Sequence, residues 1–73
     1  MEKEKLIRLV RLAQEKDLEA QQALYLDSYR SVYYLAIKLL GDADSAEDMV
    51  QETFIAAFGN LQNLQYPEAW YGW

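Results

Sequence analysis

The stretch Leu39-Leu40-Gly41-Asp42-Ala43-Asp44-Ser45-Ala46-Glu47-Asp48-Met49-Val50-Gln51-Glu52-Thr53-Phe54 ends one helix and starts another. Gly41 suits the left-handed position that closes a helix, because it has no Cβ to clash there. Asp42 follows as an N-cap, and Asp44 falls near the positive end of the next helix dipole. From there the apolar spacing is helical: Ala46, Met49, Val50, Thr53, Phe54, Ala57 and Leu61 form one inner stripe. The spacing predicts a helix over residues 43–60, with Asp48, Gln51, Glu52, Ile55 and Gly59 on its opposite face.

Reading outward, residues 18–40 make a longer helix, capped by Asp17, with Glu19 in its first turn. Leu24, Tyr25, Ser28, Tyr29, Val32, Leu35, Ala36 and Leu39 cover a wide apolar arc, so this helix is expected to touch two neighbours. Leu6, Leu9, Val10 and Ala13 give residues 3–15 a single apolar face. Pro67-Glu68 opens what reads as the first turn of a fourth helix over residues 67–73. A helix cut off within two turns is not stable alone, so a truncated chain is expected. No stretch alternates as a strand does. The expected fold is all-α: three helices plus the start of a fourth, in an irregular antiparallel bundle. The short connections at Lys16-Asp17 and Gly41-Asp42 favour antiparallel neighbours, and residues 1–73 read as a single domain.

Composition removes several function classes. The chain has 73 residues with neither cysteine nor histidine, so disulfides, thiolate metal sites and the commonest general base are absent. Glu47, Asp48 and Glu52 lack the Glu-x-x-His pattern of di-iron helices and the glycine turn of a calcium loop. No enzyme activity, metal or cofactor is expected. Nor is a membrane span, since no apolar run is long enough, and the charged amino terminus leads into no signal-peptide core. The default location is the cytoplasm.

Net charge is −5, unevenly spread. All seven bases lie in residues 1–38, where six acids balance them. Residues 39–73 hold Asp42, Asp44, Glu47, Asp48, Glu52 and Glu68 and no Lys or Arg. Such a field repels a phosphate backbone and attracts a basic protein surface.

Asp48, Gln51, Glu52 and Ile55 stand at i, i+3, i+4 and i+7, one continuous outward stripe. Pattern alone leaves two readings open. One is an ordinary solvated acidic face. The other is a recognition face, with carboxylates accepting charge-assisted hydrogen bonds around an apolar centre.

Leu39-Leu40-Gly41-Asp42 followed by Ala46-Glu47-Asp48-Met49-Val50-Gln51-Glu52-Thr53-Phe54 closely resembles the LLGD…AEDxVQETF signature of region 2 in extracytoplasmic-function (ECF) RNA polymerase sigma factors. Leu12-Ala13-Gln14, Asp17-Leu18-Glu19-Ala20, Leu24-Tyr25, Tyr29 and Val32-Tyr33 resemble the family's first two helices. Pro67-Glu68, Trp70 and Gly72-Trp73 resemble the start of its next one. The resemblance runs along nearly the whole chain.

It implies a transcription initiation factor whose third helix binds a coiled coil on the β′ subunit of RNA polymerase core. Asp48, Gln51 and Glu52 would be the polar contacts, with Ile55 and Phe58 as neighbours on the same side. It also implies an anti-sigma factor as a further partner. The chain departs from the family pattern at Ala56-Ala57 and Gly59-Asn60, where basic residues are usual, and at Ser31. The family's promoter-reading helix follows the tryptophan matched by Trp73, so promoter DNA is expected as a partner of the full-length protein only.

The remaining aromatic residues have plainer readings. Tyr25, Tyr29 and Tyr33 share the apolar arc and are expected to pack, with hydroxyls reaching the surface, while Tyr34 is exposed. Trp70 and Trp73, at i and i+3, are expected to pack on the second and third helices. Exposed in a truncated chain, they would offer a surface for homo-oligomers. Tyr71 is a candidate for contacting promoter DNA. The competing reading of the whole chain is an acidic helical module for self-association or scaffolding, with no polymerase role.

Overall fold

The computed structural model describes residues 1–72, the Glu68 side chain aside. Three α-helices, α1 (Lys3–Gln14), α2 (Leu18–Leu40) and α3 (Ala43–Gly59), are followed by two 3-10 helices, Leu61–Asn63 and Pro67–Gly72. No described residue lies in a strand, and the fold is all-α as the pattern requires.

Each helix end has an identifiable cause. The Asp17 carboxylate accepts the Ala20 N–H at 3.0 Å, and Asp42 accepts the Ser45 N–H at 2.9 Å. These bonds satisfy donors that a helix start otherwise leaves unpaired. The Ser45 bond also holds the Asp42 carboxyl below its usual pKa. Gly41 takes φ +70° and donates its N–H to the Ile37 carbonyl, closing α2. At the end of α1, Lys16 takes φ +68°, with Lys16 N–H bonded to Ala13 and Asp17 N–H to Leu12. That is a Schellman closure with lysine in the place glycine usually fills.

α2 is central and packs against both α1 and α3. The core comprises Leu6, Val10 and Ala13 of α1, Ala20, Leu24 and Ala36 of α2, and Ala46, Val50 and Phe54 of α3. Leu61, Leu64 and Trp70 complete it from the 3-10 segments. The small residues Ala20, Ala36 and Ala46 let the helix axes approach, so that Leu24 and Val50 are fully enclosed.

Two expectations need correcting. The segment from Pro67 is a 3-10 helix rather than the first turn of an α-helix; its Ala69 N–H bonds back to Tyr66, three residues away. This suits a six-residue piece in which few i→i−4 partners exist. The apolar arc of α2 is also covered over only part of its length. Leu35 and Leu39 are exposed, because the twelve-residue α1 is too short to cover both ends of the twenty-three-residue α2. Together with Met49, Thr53 and Ala56 they line an open apolar groove between α2 and α3, with Trp70 and Tyr71 also lining it.

Candidate protein-docking face

α3 is anchored by Ala46, Val50 and Phe54, all buried and spaced four residues apart. This spacing turns the other side of the helix outward. Asp48, Gln51, Glu52 and Ile55 are all exposed there, and Ile55 is 71% exposed. The structure therefore brings these four sequence-predicted residues onto one face. Phe58 is not exposed as these four are. It is half-buried, with ring centroids 6.0 Å from Phe54 and 5.9 Å from Trp70 in a stacked row, and so it packs the body of the domain.

The boundary between this face and α2 carries a second row of contacts. Tyr29 donates its hydroxyl to Glu47 Oε1 at 2.6 Å. Gln51 Nε2 donates to the Tyr25 hydroxyl oxygen at 3.1 Å. The two tyrosines are four residues apart on α2, and Glu47 and Gln51 are four apart on α3, so the pairs meet rung by rung. The Tyr29 hydroxyl is pushed up to about 12, first by the hydrogen bond to Glu47, since an ionised phenol could no longer donate it. The rings below pack as a tilted row, Tyr25 5.6 Å from Tyr29 and 4.7 Å edge-on to Phe54. Sequence reasoning placed the tyrosines in the packed arc but missed the two hydroxyl contacts. The matching i, i+4 spacing on both helices was the available signal.

The far aromatic residues are accounted for differently. Trp70 is 6% exposed and donates Nε1–H to Ser28 Oγ at 3.0 Å, satisfying a buried serine on α2. Trp70 thus packs on α2 and α3 as its spacing led one to expect, and is not exposed for self-association; Trp73 lies outside the described residues. Tyr71 is exposed and donates its hydroxyl to the Asp27 carboxylate, a bond that pushes the phenol up to about 12. Gln14, to which sequence reasoning gave no role of its own, ties the carboxyl-terminal segment down. Its Nε2 donates to the carbonyls of Leu61 (3.1 Å) and Leu64 (2.8 Å), while its own carbonyl accepts from Gln62.

Among the described residues no group of three or more acidic side chains is placed to hold a metal ion, and no helix is long and apolar enough to cross a membrane. What the arrangement does offer is a rigid acidic helix face with one exposed isoleucine, mounted on a small hydrophobic body.

The fold and this face describe a small all-helical unit with one exposed acidic side. The chain belongs to the sigma-70 region 2 family, whose model matches residues 24–73. It is 50% identical over 42 residues to the ECF RNA polymerase sigma factor SigE of Mycolicibacterium smegmatis, a stretch covering 58% of this chain and 16% of that protein. It is 34% identical over 65 residues to the RNA polymerase sigma-H factor of Pseudomonas aeruginosa, covering 89% of this chain and 34% of that protein. The matches thus span 16% and 34% of the length of these relatives. No solved structure matches the chain significantly.

Proposed function

We propose that this chain acts in transcription initiation by docking on core RNA polymerase, and that α3 presents the docking face to the coiled coil of the β′ subunit. The observation carrying this reading is the exposure of Asp48, Gln51, Glu52 and Ile55 on one side of α3, inside the family-matched segment. Acids and amide accept hydrogen bonds from a basic partner, and Ile55 supplies a desolvated centre. The role is one of binding, not catalysis, and belongs in the cytoplasm, where the polymerase works. Promoter recognition and any anti-sigma partner belong to a full-length factor, in which Tyr71 is a candidate DNA contact.

Immobilised chain is expected to retain core enzyme and the isolated β′ coiled coil, and to sediment as a monomer. The open groove of Leu35, Leu39 and Met49 favours a second reading, self-association through that apolar surface. A concentration-dependent homo-oligomer with no polymerase retention would establish it and displace the first.

A further inference from the structure

We infer that Glu47 of α3 and Tyr33 of α2 form a receptor for one arginine side chain of the polymerase, beside the Asp48 row; this rests on the core-docking reading of α3. The starting point is the ladder of contacts between the two helices. Tyr25 meets Gln51, and Tyr29 meets Glu47. Each step along the ladder is four residues on both helices, so the same register sets Tyr33 opposite Ala43, the first residue of α3. Hydrogen bonds close the first two rungs. The third is open, because an alanine methyl neither donates nor accepts. The Tyr33 hydroxyl accordingly makes no hydrogen bond among the described residues.

Two groups stand by this open rung. One is the exposed Glu47 carboxylate, whose Oε1 accepts the Tyr29 hydroxyl and which has no other partner among the described residues. No base follows Lys38 in the chain, and Arg30, next to Tyr29 in sequence, makes no ion pair with Glu47. The other is the ring pair Tyr29–Tyr33, stacked with centroids 5.9 Å apart and planes 13° apart. The stack holds the half-buried Tyr33 ring in place. A phenol face attracts positive charge. A planar guanidinium can lie on that face while its fork of N–H donors reaches a carboxylate, which suits arginine better than a point-like ammonium. The positive end of α3 opposes a cation here, but Asp42 and Asp44 stand at that end and offset it. The site extends the docking face from α3 onto α2, along the side that carries Gln51.

The test is equilibrium binding of the chain to core RNA polymerase. Tyr33→Leu keeps the apolar bulk and removes the π face; it is expected to weaken binding about two- to fivefold. Tyr33→Phe returns the face without the hydroxyl and is expected to recover that loss to within about twofold. Glu47→Gln can still accept the Tyr29 hydroxyl through its amide oxygen and removes only the charge; a loss of about three- to tenfold is expected. Since both groups hold one cation, Glu47→Gln/Tyr33→Leu should lose less than the two single losses multiplied. Circular dichroism should show the variants folded, and Glu47→Gln, at an exposed position, carries the test if Tyr33→Leu is not. Asp48→Lys is the control for the face itself. If Tyr33→Leu or Glu47→Gln binds like the parent while Asp48→Lys is weakened, the inference fails and core docking stands. If Tyr33→Phe loses as much as Tyr33→Leu, the hydroxyl matters and not the ring face, which overturns it. Losses that multiply in full would assign the two groups to separate contacts and overturn it as well. If Asp48→Lys also binds like the parent, the docking reading and the inference fall together.

Discussion

At the scale of single residues, the two tyrosine–carboxylate contacts give the molecule a specific alkaline behaviour. Tyr29 and Tyr71 both ionise near 12 instead of the ordinary 10, because each neutral hydroxyl donates to an acid, Glu47 and Asp27 respectively. A folded pKa raised above the unfolded value means that the contribution of each bond is fully present below about pH 10. It is lost as pH rises through about 12, when tyrosinate faces carboxylate. Ultraviolet titration is therefore expected to show a late phenol component near pH 12, reduced in Tyr29→Phe and abolished when Tyr71→Phe is added. Titration of the parent complete well below pH 12 would remove both contacts. Glutamine residues show the limit of reading such positions from sequence. Gln14 and Gln51 look like any polar surface residue, and only the return of the chain after α3 and the register of α2 against α3 show what they bond.

At the scale of elements, the helix ends were the most legible part. Asp17 and Asp42 each precede an apolar-periodic run, and Gly41 follows one; the structure places all three in those capping roles. Lys16 was less legible, since a lysine carries no signal for a left-handed turn. Its strain is a testable consequence. A non-glycine residue in the left-handed region costs about 1 kcal/mol or more. Lys16→Gly is expected to stabilise the fold by about 1 kcal/mol in urea unfolding, because glycine removes the Cβ clash. Gly41→Ala should cost about 1 kcal/mol by the same reasoning. No heavy atom lies within 4 Å of a Cβ built at Gly41, so that loss is one of backbone conformation and not of crowding. Equal stability of parent and both variants would mean that neither turn is left-handed in solution. The exposed Leu35 and Leu39 were misplaced because helical periodicity identifies an apolar face but not the length over which a neighbour covers it.

At the scale of the whole molecule, charge and shape divide the work. The basic residues all lie in α1, α2 and the turn joining them, while α3, its N-cap Asp42 and the segment after it carry six acids and no base. The hydrophobic body runs through all three helices and ends in the Phe54–Phe58–Trp70 stack, which ties the carboxyl-terminal segment to α3. That stack buries Trp70 and half-buries Phe58, while Asp48, Gln51, Glu52 and Ile55 stay exposed. The four-residue face was legible because it follows from 100° per residue along one long helix. Phe58 was not, because its position depends on a ring arriving from twelve residues further on. We propose that the acids of this face hold the chain on core RNA polymerase. Equilibrium binding of Asp48→Lys/Glu52→Lys to core enzyme tests it most directly, with circular dichroism confirming an intact helix. A loss of affinity of at least about tenfold is expected, because two charge-assisted contacts become repulsions. A folded double variant that binds as tightly as the parent would contradict it.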